Sequence, residues 1–170
     1  MRVTRNEDRG YFLDQEEAIV DLLRDHGMND ANSSRVPIGT DVYEVQCANS
    51  GQPADTGAPG QPSVHAFQSI VGSLLWVARC TRPDIAFAVH KATRQTHEPR
   101  ICDWKLAKRI VRYLSGKRGL KISMKPAVEE TSQPVLMSYS DADYAADKAD
   151  IKSLTGSVIM LNGMINSWCS

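Results

Sequence analysis

The spacing of apolar residues changes once along this chain, and that change limits the folds available to it. Up to about residue 118 the apolar residues recur every three or four positions, whereas from Leu120 onward they alternate with polar ones. The first pattern is typical of amphipathic helices and the second of half-buried strands. With 170 residues and 42% hydrophobic content, the chain can bury a core. We therefore predict a mixed α/β (α+β) fold, helical first and then an antiparallel sheet.

Four segments are predicted to be helical. The first lies in "LDQEEAIVDLLRDHGM", where Asp14 is placed to cap the helix and Gly27 to end it. The second covers residues 64–78, and the third restarts at "TRPDI", where Pro83 fits the first helical position. Arg82 and Asp84 suit either an ion pair or a cap at the start of that helix. The fourth is "ICDWKLAKRIVRYL".

Strands are predicted on both sides of these helices. Near the start, "RVT" and "YFL" flank a turn-rich span and are compatible with a hairpin. After Leu120 the candidate strands of the antiparallel sheet are "LKISM", "PVLMSYSDADYA", "GSVIMLNG" and "MINSWCS". The Asn-Gly pair in "LNGM" is a strong hairpin signal between two apolar runs.

Residues 46–62 are rich in glycine and proline, which indicates a linker. Together with the change in the spacing of apolar residues, this stretch predicts four parts of the chain, namely residues 1–45, 46–62, 63–118 and 119–170.

Overall charge does not identify a partner, because 20 basic and 20 acidic side chains cancel. The four cysteines are widely scattered, form no zinc-ligand pair and predict free thiols in a reducing compartment. The charged N-terminal stretch has no apolar core of a signal peptide, and no apolar run reaches membrane-spanning length. We therefore expect an intracellular chain, cytoplasmic or nuclear, with no membrane partner.

The helix "ICDWKLAKRIVRYL" carries two stripes of opposite character. One stripe is apolar and suits a core, and the other is basic and consists of Lys105, Lys108, Arg109 and Arg112. A basic stripe of this kind can lie along a phosphate backbone. An ordinary solvated helix face explains the same residues, and their pattern alone leaves both readings open.

Several aspartates surround the start of the last predicted sheet. Asp141 and Asp143 are two positions apart on a strand and so share a face, and Asp147 and Asp150 follow them. They suit either a divalent-cation site or a polar strand end that runs into a solvated turn. A calcium loop of the EF-hand type is excluded, because the sixth position from Asp141 is an alanine and the twelfth is a lysine.

Three stretches in this order and spacing closely resemble the Pol polyprotein of copia-type LTR retrotransposons: "QSIVGSLLWVARCTRPDIAFAV", "WKLAKRIVRYLSGKRGL" and "YSDADYAADKADIKSLTGSVIMLNGMINSW". The earlier "LDQEEAIVDLLRDHGM" and "SSRVPI" are also similar to that family. The resemblance covers nearly the whole chain. It implies a helical thumb and connection region of a reverse transcriptase, followed by an incomplete RNase H-like sheet.

The resemblance implies a role in the site for individual residues of this chain. The residue that matches the first metal-binding carboxylate of RNase H is Asp141, with Asp143 in a supporting role, and the family's enzyme uses Mg²⁺. The polymerase aspartates and the later RNase H carboxylates find no match in this chain. We therefore expect no bound cofactor and no catalysis from the isolated chain, which would need the missing polyprotein segments.

The implied ancestral role is reverse transcription with degradation of hybrid RNA. Its partner would be an RNA–DNA hybrid or a template-primer, held by Lys105, Lys108, Arg109 and Arg112. The alternative is a non-catalytic module that binds nucleic acid or another protein.

Overall fold

A computed structural model describes residues 1–5, 10–39, 51, 63–125, 133–143 and 154–170. Its contacts divide the chain into two compact units, which are described separately below. One unit is Gln15–Leu120, and the other combines Arg2–Asp14 with Lys121–Ser170. The first is helical and the second consists of strands, so the predicted mixed α/β class is confirmed.

The helical unit contains the four predicted helices. Its elements, in chain order, are α1 (Glu16–Asp25), α2 (Val64–Cys80), a 3₁₀ turn (Pro83–Ile85), α3 (Ala86–Thr93) and α4 (Ile101–Gly116). Pro83 begins the 3₁₀ turn, as predicted from its missing N–H and fixed φ. Gly27 follows the end of α1 with a φ of +62°, the left-handed conformation that glycine adopts without strain.

The apolar stripes of these helices meet in one core. Side chains of all four helices are almost fully buried in it, including Ile19, Phe67, Leu74, Val89, Ala107, Val111 and Leu114. Burying each large side chain of this kind contributes about 1.5–3 kcal/mol to folding. The core therefore fixes one face of α4 and leaves the other face outside it.

Two helix starts have polar caps, and a third differs from its prediction. The Ser63 hydroxyl accepts a hydrogen bond from the Ala66 amide at 3.1 Å, and the Asp103 carboxylate accepts one from the Arg100 amide at 2.8 Å. Asp14 was predicted to cap α1, and this was wrong, because the cap position is Gln15. The buried Asp14 carboxylate instead pairs with Arg2 at 3.2 Å and Lys121 at 3.4 Å.

The guanidinium of Arg82 is buried between the end of α2 and the end of α4, with 1% of the residue exposed. It donates two hydrogen bonds to the Asp84 carboxylate, at 2.8 and 2.7 Å, and a third to the Lys117 carbonyl at 2.9 Å. It also lies 5.7 Å from the ring centre of Tyr113, whose hydroxyl donates to Asp84 at 2.8 Å. The predicted ion pair of Arg82 and Asp84 is confirmed, and it ties the 3₁₀ turn to α4.

Electrostatics within this cluster favour the ionised form of Asp84. Burial alone would raise the pKa of its carboxyl, but the hydrogen bonds and charge of Arg82 and the Tyr113 hydroxyl together hold that pKa below its usual value. Burial and the neighbouring Asp84 raise the pKa of Tyr113, which therefore stays a hydrogen-bond donor. The cluster is thus a neutralised ion pair with its polar groups satisfied.

Residues 32–39, which we call the strap, run along α4 after the end of α1. The Ser34 amide donates to the Arg112 carbonyl at 3.3 Å, and the Arg109 Nε donates to the Val36 carbonyl at 3.3 Å. At the end of α4 the strap approaches Gly116 so closely that an added Cβ there would lie 2.7 Å from the Ser33 Cβ. The absence of a side chain at residue 116 therefore permits this packing.

The second unit contains two antiparallel three-stranded sheets. The first has the order β1 (Arg2–Arg5), β2 (Tyr11–Asp14) and β3 (Ile122–Met124). The second has the order β4 (Leu136–Asp143), β5 (Leu154–Leu161) and β6 (Met164–Cys169). The predicted N-terminal hairpin is confirmed.

One predicted pairing was wrong. The segment "LKISM" was expected to join the C-terminal sheet, but β3 pairs with β2, with Leu13 opposite Ile122. The predicted Asn-Gly hairpin is confirmed between β5 and β6, where Asn162 and Gly163 have φ values of 50° and 80°. Positive φ at both central residues is the backbone of a type I′ turn, which matches the twist of the flanking strands.

The predicted linker at residues 46–62 lies outside the described residues, except for Gly51. The four predicted parts of the chain stay a prediction. Free thiols are confirmed for Cys80 and Cys169, but the prediction was wrong for Cys102, which is in a disulfide. Cys47 lies outside the described residues.

In the part of the chain that the structure describes, no helix is both long and apolar enough to span a bilayer.

Replacing Arg82 by methionine is expected to lower the free energy of unfolding by about 2 kcal/mol, because the hydrogen bonds of the buried guanidinium to the Asp84 carboxylate and the Lys117 carbonyl are lost. The measurement is urea unfolding followed by helical circular dichroism. Arg79→Met is the matched control on the exposed side of α2, with an expected change within about 0.5 kcal/mol. Equal losses in both variants would contradict the role given to the buried cluster.

Gly116→Ala is expected to displace the strap, because the new Cβ meets the Ser33 side chain. Amide hydrogen exchange at Ser34 should then speed up, since its bond to the Arg112 carbonyl is strained or lost. Gly119→Ala is the control, as an added Cβ there has nothing within 4 Å. Adding Ser33→Gly to Gly116→Ala should restore protection, and unchanged exchange at Ser34 in Gly116→Ala would refute the close packing.

Candidate nucleic-acid interface

Helix α4 presents two chemically different faces, as its sequence pattern predicts. The predicted core stripe is buried, with Trp104 7% exposed and Leu114 fully buried. On the other side, Lys105 and Arg112 are exposed, whereas Lys108 and Arg109 are half-buried. The helical spacing of these four residues therefore produces a continuous cationic surface.

All four basic residues line one cavity between α4 and the strap, which we call the basic cavity. Its volume is about 590 Å³. The strap contributes polar groups from Asn32 and Ser33 and apolar surface from Ile38, and α4 contributes Leu106 beside its cations. The structure thus brings together the four predicted nucleic-acid-binding residues, and the strap forms the opposite wall of the cavity that they line.

Contacts with neighbouring groups hold two of the cationic side chains in place. The Arg109 guanidinium donates to the strap at Val36, and an added Cβ at Gly39 would lie 3.4 Å from both of its terminal nitrogens. The Lys108 ammonium lies 5.2 Å from the ring centre of Trp104, within the range of a cation–π interaction. A cation that is already positioned loses less conformational entropy when it binds an anion.

Among the residues that the structure describes, no carboxylate forms an ion pair with the cations of the basic cavity. Within the described residues, no ion pair involves Lys105, Lys108, Arg109 or Arg112. Burial lowers the pKa of His26, with Asp25 opposing this effect and Lys108 adding to it, which favours the neutral imidazole. Four positive charges around one cavity repel each other, and a bound anion relieves that repulsion.

Asp141 lies in the other unit, on β4, where it is exposed. It pairs with Gly156 on β5, which offers no side chain, and its neighbours on the same face are Tyr139 and Val158. Asp143 ends the same strand, opposite Leu154. The remaining predicted aspartates, Asp147 and Asp150, lie outside the described residues.

The described residues do not fit the two-magnesium site of an RNase H. Nowhere in the described ranges do three or more His, Cys, Asp or Glu side chains come together in a way that could hold a metal ion. Mg²⁺ is held in proteins mainly by carboxylates together with water or phosphate. Asp141 on its exposed strand supplies one such group.

Sequence reasoning missed the contribution of the strap to this site. Nothing in the spacing of Asn32, Ser33 and Ile38 indicates that they face residues about 70 positions later in the chain. The available signal was indirect: the turn after α1 at Gly27 directs the chain back along the helical unit, and a glycine ends α4.

Comparison with known proteins identifies the relatives of this chain. It is 32% identical over 171 residues to the retrovirus-related Pol polyprotein from transposon TNT 1-94 of Nicotiana tabacum, covering 100% of this chain and 12% of that protein. It is 31% identical over 162 residues to the corresponding polyprotein from transposon RE2 of Arabidopsis thaliana, covering 95% of this chain and 10% of that protein. An uncharacterized mitochondrial protein of Arabidopsis thaliana is 31% identical over 162 residues, covering 94% of this chain and 60% of that protein.

No protein-family model matches the chain, and no solved structure matches it. The chain spans about a tenth of the length of the two transposon polyproteins. The match to both runs along nearly all of the chain, through the helical unit and the sheets alike. Over nearly its whole length, the chain is therefore similar to a short segment of the retrovirus-related Pol polyproteins of transposons.

Proposed function

We propose that this chain is the part of a copia-type Pol polyprotein that joins the end of the reverse transcriptase to the start of RNase H. The order of its elements supports this assignment, since the helical unit with its basic face precedes the sheet that begins with β4 and Asp141. In this role the helical unit holds the phosphate backbone of a template-primer or an RNA–DNA hybrid. The ligands are Lys105, Lys108, Arg109 and Arg112.

The observation that carries this proposal is the un-neutralised charge of the basic cavity. Exposed lysines and arginines on an ordinary helix are scattered or paired with acids, whereas these four converge on one cavity without an ion-paired carboxylate in the described residues. Each phosphate that such a cation neutralises releases condensed counterions from the nucleic acid. Binding of this kind is strong at low salt and independent of sequence.

A second candidate function is an interaction module that binds another protein through β4. This strand is at the edge of its sheet, and its residues Leu136 and Tyr139 are 68% and 56% exposed. An exposed edge strand offers backbone groups to a strand from another chain. Because that contact uses backbone hydrogen bonds and apolar surface, its affinity would change little with salt.

The affinity for a fluorescently labelled RNA–DNA hybrid is expected to fall steeply with salt. Lys105→Ala and Arg112→Ala should each weaken binding and lower the slope of log affinity against log salt by about 0.9, the value for one lost phosphate contact. Fluorescence anisotropy at several salt concentrations measures both effects. Arg24→Ala is the control, because Arg24 is exposed on α1 and pairs with Asp21 and Asp25. Salt-independent binding, or an equal effect of Arg24→Ala, would contradict the proposal.

The isolated chain is expected not to cleave hybrid RNA when Mg²⁺ is added, because a two-metal site needs several converging carboxylates and the described residues bring no such group together around Asp141. The measurement is gel analysis of end-labelled hybrid after incubation with the wild-type chain and with Asp141→Asn. Both samples should match the protein-free control. A magnesium-dependent nick that appears with the wild-type chain and disappears with Asp141→Asn would overturn this part of the proposal.

A further inference from the structure

If a phosphate backbone binds along α4, the opposite wall of the basic cavity, formed by the strap, has no role in that binding. The side facing the cations is formed by the strap, with apolar surface from Ile38 and polar groups from Asn32 and Ser33. Within the described residues, the side chains of Asn32 and Ser33 make no hydrogen bond. A surface that only followed phosphates would need neither the apolar wall nor these polar groups.

The size of the cavity indicates what it can enclose. Its volume of about 590 Å³ falls within the roughly 300–1,000 Å³ of sites that enclose a small molecule. A duplex presents phosphates on its outside and keeps its bases stacked inside, so it would touch only the mouth of such a cavity. An unpaired strand can insert a whole nucleotide.

We propose that the basic cavity binds one nucleotide of an unpaired strand, with its phosphate at Lys105, Arg109 and Arg112 and its base against Ile38 and Leu106. This inference rests on the proposed function for its choice of nucleic acid as the ligand. Asn32 and Ser33 then offer hydrogen bonds to the sugar or to the edge of the base, because an amide and a hydroxyl both donate and accept.

The strap has a defined part in this arrangement. Its Val36 carbonyl accepts from the Arg109 Nε, which leaves the terminal nitrogens of the guanidinium available for a phosphate. Its Ser34 amide is bonded to the Arg112 carbonyl, which fixes the distance between the two walls. The strap therefore selects for a single strand, whereas the outer face of α4 accepts any phosphate backbone.

The variant that tests this inference fills the cavity without removing a charge. An added Cβ at Gly39 points to the Arg109 guanidinium at 3.4 Å, and the backbone of Gly39 has no positive φ, so Gly39→Leu places its side chain inside the cavity. Gly119→Leu is the matched control, since an added Cβ there meets nothing within 4 Å. Asn32→Leu is a second variant, which removes the amide at an exposed position of the strap and adds no aromatic ring on which a base could stack.

Fluorescence anisotropy of the full chain at fixed salt compares two probes, a labelled oligouridylate of roughly ten nucleotides and an RNA–DNA hybrid duplex of the same length. Asn32→Leu is expected to weaken oligouridylate binding about tenfold, the loss of one bound base, and to leave hybrid binding within about twofold. Gly39→Leu should weaken oligouridylate binding at least as much and hybrid binding by a smaller factor, because its side chain also meets the Arg109 guanidinium. Gly119→Leu should change neither affinity. Circular dichroism confirms that each variant keeps its helical content.

The outcomes separate this inference from the proposed function. Equal weakening of both probes by Gly39→Leu, or no weakening of either, would overturn the nucleotide site while leaving backbone binding intact. The wild-type chain could instead bind oligouridylate but not hybrid, with Gly39→Leu abolishing the oligouridylate binding. That result would support the nucleotide site and refute hybrid binding by α4.

Discussion

The ion pair between the buried Arg82 and Asp84 is the interaction on which the candidate site depends. It joins the end of α2 and the 3₁₀ turn to the last turn of α4, because one guanidinium reaches the Asp84 carboxylate and the Lys117 carbonyl together. An isolated charge at this depth would be costly, and it is tolerated because its donors are matched and Tyr113 adds a hydroxyl to the same carboxylate. The apolar core positions α4 along its buried stripe, and this cluster fixes its end.

Local charge, rather than total charge, gives the chain its proposed partner. The whole sequence is formally neutral, yet the fold gathers four cations around one cavity, while Asp21 and Asp25 pair with Arg24 on α1 and Asp14 pairs with Arg2 and Lys121. Because these described acids pair with other cations, the four cations of the cavity produce a local positive field in a chain without net charge. Composition could not have revealed it, because composition does not record which charges lie together on one helix and which pair with each other.

Local signals in the sequence predicted most of the elements. Helical periodicity, Pro83 and the Asn-Gly pair act over a few residues, and the corresponding helices and hairpin are present.

The errors involve long-range contacts. Asp14 looks like a helix cap but pairs with Lys121, more than 100 positions later, and β3 joins β2 from a similar distance. The basic stripe was predictable from α4 alone, whereas its opposite wall in the strap was not, because no local pattern links residue 34 to residue 112.

The most direct test of the central claim, that the basic cavity contacts nucleic acid, is NMR titration of the isotope-labelled chain with an RNA–DNA hybrid. We expect the amide signals of residues 32–39 and of α4 to shift progressively and to return to their positions when salt is added. Shifts confined to β4, with those of α4 and the strap unchanged, would contradict it.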